Sequence, residues 1–251
     1  MKKFISLSGG VESTALCVLF GNVADAIFAD TKNEHKHIYE RLIKIENWVK
    51  ANIRPTFKIH YVTNKKHPKG LRDYIIKMKF YPSFKSRYCT RLFKIEPIDD
   101  FLKKIENPTL LIGLNYDEQD SRTGNYGLVK KCSYEYPLIE NRLTRSACKT
   151  ILNKVGLLPN FPVYSQRGGC IDCYFKSVKE YEAMALLNET EFDIVMHTEE
   201  IIQDVRGSFF SIKKGIKMRE IKQRVSNILF APEEIYPVIN DVTSCGVFCN
   251  R

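Results

Sequence analysis

Apolar positions along the chain alternate between short runs and helical spacing. Lys3-Phe4-Ile5-Ser6-Leu7 is a short β-rich run that stops at a Ser-Gly-Gly turn, and Ser13 to Phe20 follows as a helix. Ala24 to Asp30 reads as a second strand. Ile38, Leu42, Ile45 and Val49 then recur at helical spacing over 36–51, and 57–62 reads as a third strand. Further helices are expected at 71–79 and 95–105, an apolar strand at 109–114 and a short strand at 136–139. Thr144 is placed to cap a helix that runs to Val155 and ends at Gly156. Strands and helices that alternate with short connections predict a Rossmann-like α/β fold, a mostly parallel twisted sheet flanked by helices. Its ligand is expected at the carboxyl ends of the strands.

Beyond Pro159 the pattern changes to a Pro, Gly and Cys segment and then to helices expected at 178–188, 191–204 and 217–227. We therefore expect an α/β nucleotide-binding domain over 1–164 and a Cys-containing, helical carboxy-terminal region over 165–251. A chain of 251 residues that is 44% hydrophobic can bury one substantial core plus such an extension. No stretch has the length of a signal peptide's apolar run or of a membrane span, so a cytoplasmic protein without membrane contact is expected. In that compartment eight cysteines point to metal binding or thiol chemistry rather than to disulfides.

Charge narrows the class of partner. A net charge of +10 and a pI near 9.1 favour an anionic partner, a nucleotide or a nucleic acid. The loop Ser8-Gly9-Gly10-Val11-Glu12-Ser13 joins the first strand to the first helix, where unpaired backbone N–H groups and the helix dipole cradle phosphate. It lacks the lysine of the G-x-x-x-x-G-K-[ST] loop, which favours a pyrophosphate-binding loop. Arg87, Arg91 and Lys94 add three cations suited to phosphate oxygens. Asp117 and Glu118 are placed either to hold Mg²⁺ on the nucleotide or to pair with Arg122. The five histidines form no ligand pattern, and Trp48, Cys17, Cys132 and Cys148 read as packing residues.

In this setting Ser8-Gly9-Gly10-Val11-Glu12-Ser13 resembles the SGGx[DE]S loop of the PP-loop ATP pyrophosphatases. Asp30-Thr31-Lys32-Asn33-Glu34 resembles the DTGxE segment of the phosphoadenosine phosphosulfate (PAPS) reductase-like branch. Arg87-Tyr88-Cys89-Thr90-Arg91-Leu92-Phe93-Lys94-Ile95-Glu96-Pro97 is similar to the branch's R-x-C-T-x-x-L-K-x-x-P segment, and Gly113, Asp117, Glu118 and Arg122 match its G-x-x-x-D-E-x-x-x-R stretch. Tyr136-Pro137-Leu138, 159–164 and Gly169-Cys170-Ile171-Asp172-Cys173 follow in the same order, so the resemblance spans roughly residues 4–180. It implies ATP as the nucleotide, approached by the loop and by Asp30, Thr31, Arg91, Gly113, Asp117, Glu118 and Arg122. Ser8, Ser13, Arg87 and Lys94 are the implied catalytic groups.

Iron–sulfur members of the branch use a Cys-Cys pair and a later C-x-x-C. This chain has Cys89 but Tyr88 at the first pair, then Cys170 and Cys173. The tail offers Cys245 or Cys249 as a fourth ligand for a [4Fe-4S] cluster, with zinc the lesser expectation. Cys245-Gly246 also resembles the C-terminal E-C-G-L-H motif of the sulfonucleotide reductases, with Ser244 in place of Glu and Phe248 in place of His. The expected function is an ATP pyrophosphatase that adenylates an acceptor for sulfur insertion. DNA or another nucleic acid is the acceptor, a protein such as a cysteine desulfurase the sulfur donor, and the resemblance is greatest to the enzymes of DNA phosphorothioate modification (the DndC/SspD type). The alternatives are a PAPS or adenosine phosphosulfate reductase acting through Cys245 and a non-catalytic nucleotide-binding subunit. The sequence leaves the oligomeric state open, a homo-oligomer included.

Overall fold

A computed structural model describes residues 2–122, 132–166, 169–206 and 210–226. Its centre is a five-stranded sheet in which β1 (Lys3–Leu7), β2 (Ala24–Ala29), β3 (Ile59–Val62), β4 (Thr109–Leu111) and β5 (Ser133–Glu135) all run parallel. The strand order is β3-β2-β1-β4-β5. The α/β fold read from the alternation is the fold observed.

β1 and β2 are nearly continuous apolar runs because both of their faces are covered. Ile5 and Leu7 point into one core with Ala15 and Leu16 of α1 (Val11–Phe20), Leu42 and Ile45 of α2 (Lys36–Asn52), and Cys148 and Leu152 further along the chain. Phe4 faces the opposite core with Ile27, Ile98, Leu102 and Leu110. Cys17 and Cys148 are fully buried and burial raises both thiols to about 12, as inert packing residues require, while Trp48 packs against the first core.

A third core joins distant parts of the chain. Leu71 and Ile75 of α3 (Leu71–Met78), with Tyr81 and Phe93, pack against Tyr181, Met184, Phe192, Val195 and Ile221. The last five come from α9 (Val178–Leu187), α10 (Glu189–Arg206) and α11 (Met218–Val225). The first of these helices starts with a capping box between Ser177 and Glu180. No helix among the described residues is long and apolar enough to cross a membrane.

Two local expectations need correction. Residues 136–139 are not a strand: β5 lies just before them, and Pro137 opens a short helix, α7 (Pro137–Glu140). Proline's fixed φ and missing N–H suit a first helical turn, and the fully buried Leu138 packs into the first core. The helix expected from residue 95 starts earlier. A turn labelled α4 (Tyr88–Thr90) leads through a π-helical stretch, Arg91–Ile95, into α5 (Glu96–Leu102). Pro97 cannot donate to the Phe93 carbonyl and its ring presses on that turn, so the helix widens ahead of it and Glu96 N–H bonds back to the Arg91 carbonyl. Between β4 and β5 lie a 3₁₀ turn, Tyr116–Glu118, and α6 (Gln119–Arg122). Thr144 caps α8 (Arg145–Lys154) by accepting Ala147 N–H at 3.1 Å, and Gly156 follows at φ +69°.

Candidate functional site

Strand order fixes where a ligand belongs. From β1 the chain moves to β2 and β3 on one side and then to β4 and β5 on the other, so the crevice opens between the carboxyl ends of β1 and β4. The Ser8–Ser13 loop fills one wall of that crevice. Gly9 takes φ +79°, which a residue with a Cβ adopts only under strain, and Gly10 is the extended residue before α1. No side chain caps α1, so its first-turn N–H groups keep the orphan character that attracts phosphate. Ser13 Oγ closes the loop, accepting Ser8 N–H at 3.1 Å and lying 3.1 Å from Ser8 Oγ.

The other wall comes within touching distance. A Cβ on Gly113 would meet the Ser13 backbone nitrogen at 3.0 Å, so glycine is what lets the chain after β4 lie against the start of α1. Next to it, buried Asn115 donates to Glu12 Oε1 at 3.2 Å and to Glu118 Oε2 at 3.1 Å, and its Oδ1 has no hydrogen-bond partner among the described residues. An orphaned buried acceptor beside a phosphate loop suits the N–H or O–H of a ligand.

Glu12 and Asp117 both bond to Arg145. Glu12 is buried and ion-paired with Arg145 Nη1, and Asp117 Oδ2 accepts Arg145 N–H at 2.9 Å. One arginine at the start of α8 thus ties the loop to the β4 side. Arg41 does the same from α2, donating to Gly9 O at 2.5 Å, Thr14 Oγ1 at 3.1 Å and Leu157 O at 3.0 Å. Asn115, Arg145 and Arg41 were not singled out in the sequence. Of these only Asn115, between Gly113 and Asp117, lay inside a stretch already flagged.

At the end of β2, Asp30 accepts Lys32 N–H and Tyr39 O–H, both at 2.7 Å. Lys32 stands where the DTGxE pattern has glycine and takes φ +54°. Fully buried Thr31 donates to Glu34 at 2.9 Å and lies 3.5 Å from Cys170 Sγ. The 169–173 segment docks here: Ile171 N–H bonds Asn33 O at 2.8 Å, Asn33 donates to Asp172, and Arg72 donates to Asn33 at 2.8 Å. Burial pushes the Asp172 carboxyl up, against the pull of Arg72.

Cys89, Cys170 and Cys173 approach the same region, each under the field of Lys94. Burial raises all three thiols; the Cys173 sulfur pushes Cys89 further, and Lys94 opposes the rise. No group of three or more His, Cys, Asp or Glu among the described residues is disposed to hold a metal ion. Cys245 and Cys249 lie outside the described residues, as does the Arg122 side chain. The described residues alone therefore do not make a [4Fe-4S] site. Arg87 lies over the Phe175 ring at 5.2 Å, and Arg91 is exposed and pairs with Glu96 at 2.8 Å.

The phosphoadenosine phosphosulfate reductase domain family matches residues 2–132, just over half of the chain. The chain belongs to this family. Its matched span holds the Ser8–Ser13 loop, the Asp30–Glu34 segment, Cys89, Lys94 and the Gly113–Glu118 wall, all on one domain of the reductase family. Membership makes the chain an enzyme of the adenine nucleotide alpha hydrolase-like class, either related to sulfonucleotide chemistry or adenylating through its PP-loop. No curated protein gives a match to the chain. A cleft of about 290 Å³ among the carboxy-terminal helices is lined by Glu199, Glu200, Gln203, Asp204, Phe210, Lys217 and Arg219.

Proposed function

We propose that the protein is an ATP pyrophosphatase that adenylates a nucleic-acid acceptor for sulfur insertion, as in DNA phosphorothioation. The observation that carries this reading is the uncapped amino end of α1 behind the Gly9-Gly10 turn, pressed against Gly113 at the switch point of the sheet.

In this reading the first-turn N–H groups of α1 and the Ser8 and Ser13 hydroxyls hold the β- and γ-phosphates of ATP. An acceptor oxygen attacks the α-phosphorus, the α–β bridging bond breaks and pyrophosphate leaves with its charge stabilised by those donors. Glu12, Arg145 and Arg41 do not touch the reacting atoms; they fix the loop in place, and that preorganisation is their contribution. A Mg²⁺ carried by ATP needs only one or two protein carboxylates, and Asp117 and Glu118 would hold it and offset phosphate charge. Sulfur from a donor persulfide, released with a thiol reductant, then displaces AMP from the acceptor. No step is routed through a cluster.

The competing reading is sulfonucleotide reduction through Cys245, which the same family permits. Incubation with ATP and with PAPS, followed by pyrophosphate and sulfite assays, separates the two. We expect pyrophosphate from ATP, lost in Ser13→Ala and kept in Cys245→Ser. Sulfite from PAPS that disappears in Cys245→Ser would overturn the proposal.

A further inference from the structure

We propose that residues 65–91 form a landing surface for a single strand of DNA beside the nucleotide site. This deepens the reading above, since it rests on a nucleic-acid acceptor and says where that acceptor lies.

Charge is the first observation. Residues 65–91 contain nine Lys or Arg and one acid, Asp73, so this short span supplies a net +8 of the chain's net charge of +10. Lys65, Lys66, Lys69, Lys77, Lys79, Lys85 and Arg91 are exposed.

Exposed aromatic rings in the same span are the second. Phe84 is 58% exposed and Phe80 42%, where a folded protein ordinarily buries phenylalanine. Phe84 and Lys85 form the tip of a tight turn whose ends, Ser83 and Ser86, exchange backbone hydrogen bonds of 3.0 and 3.2 Å, so the ring is held out on a defined support. Behind it runs a series of rings: Phe80 lies 6.0 Å from Tyr88, Tyr88 5.5 Å from Tyr74, and Tyr74 4.4 Å from His67. The Tyr88 hydroxyl fixes the turn by donating to Phe80 O at 2.5 Å.

Position is the third. Leu71 N–H bonds Thr31 O at 3.0 Å and Lys32 Nζ bonds Pro68 O at 2.9 Å, so the start of α3 is anchored to the carboxyl edge of the sheet. The surface therefore meets the sheet at the carboxyl end of β2, the strand next to β1.

These features select the occupant. An apolar protein partner would strip the lysines of counter-charge, and a lipid surface calls for one continuous apolar cap rather than rings separated by cations. Duplex DNA offers phosphates but hides its base faces. A single strand alternates phosphates with bases free to stack, which matches cations alternating with rings.

The test is fluorescence anisotropy of a labelled twelve-nucleotide DNA strand with the full chain over a series of salt concentrations. We expect binding that weakens as salt rises. Phe84→Ala should weaken it about tenfold. Replacing Lys77, Lys79 and Lys85 together by Ala should reduce the slope of log K against log salt by about 2. ATP affinity should be unchanged in both variants, because none of these residues belongs to the Ser8–Ser13 loop. Absent binding, binding indifferent to these substitutions, or preference for duplex DNA, RNA or vesicles containing phosphatidylserine would overturn the inference. Pyrophosphate release from ATP without strand binding would sink this surface and leave the ATP chemistry standing. Strand binding without pyrophosphate release would do the reverse.

Discussion

Glu12 ties the Ser8–Ser13 loop to a distant part of the chain. Its carboxylate is nearly buried and meets Arg145, itself mostly buried and 133 residues further along the chain. Removing one member of such a pair strands the other charge in the interior. Glu12→Ala should therefore cost about 3 kcal/mol in urea unfolding, with Arg145→Ala similar and the double variant losing much less than the sum. Additive losses would show that the two do not act as a pair. Gly113→Val is the complementary case: the new side chain meets the Ser13 backbone rather than a flexible tip, so ATP affinity should fall at least tenfold by calorimetry. Unaltered affinity would mean that the two walls do not jointly form the site. The glycines and serines of the loop were legible in the sequence because a Ser-Gly-Gly turn between a strand and a helix has local chemistry. Arg41 and Arg145 were not, because their partners are brought to them only by the fold.

Among the elements, α2 carries a device that the sequence concealed. His35 and His37, at its amino end, stack with ring centroids 5.1 Å apart under Tyr164 and Phe161. Burial outweighs the hydrogen bond to Glu191 and keeps His35 neutral, donating its Nδ1–H to that carboxylate. Burial, His35 and Lys176, against the pull of Glu191, lower His37 to about 3. An unfolded His37 takes up its proton near pH 6.5, so between pH 6.5 and 3 the unfolded chain binds more protons than the folded one. Stability is full above pH 6.5 and declines below it, by up to about 1.4 kcal/mol per pH unit. His37→Gln should flatten the fall in Tm between pH 7.5 and 5.0, whereas an identical fall in both proteins would contradict the assignment. Five histidines with no ligand spacing gave no sign of this, because the stack depends on Glu191 arriving from α10. At 136–139 the misreading had another source. An apolar Tyr-Pro-Leu-Ile run suits strand or helix, and the proline decided for helix by opening its first turn.

At the scale of the whole molecule, the carboxy-terminal helices bury the same apolar surface as Leu71, Ile75, Tyr81 and Phe93. A division after residue 164 thus describes composition more readily than independent folding. A fragment ending there should expose those four side chains, bind a hydrophobic dye and unfold without a sharp transition; a cooperative, dye-free fragment would show the two regions to be separable. The parallel sheet was readable from alternation, since the right-handed crossover leaves few arrangements, whereas its strand order was not. The third core and the docking of 169–173 against Asn33 were not, because neither has a periodic signature.

The account rests on the Ser8–Ser13 loop receiving the phosphates of ATP. A crystal structure with α,β-methylene ATP, which cannot be split at that bond, tests this most directly. The β- and γ-phosphates should lie within hydrogen-bond distance of the first-turn N–H groups of α1, with the ligand between the ends of β1 and β4. Phosphates seated elsewhere, with Ser8 and Ser13 still bonded to each other, would contradict it.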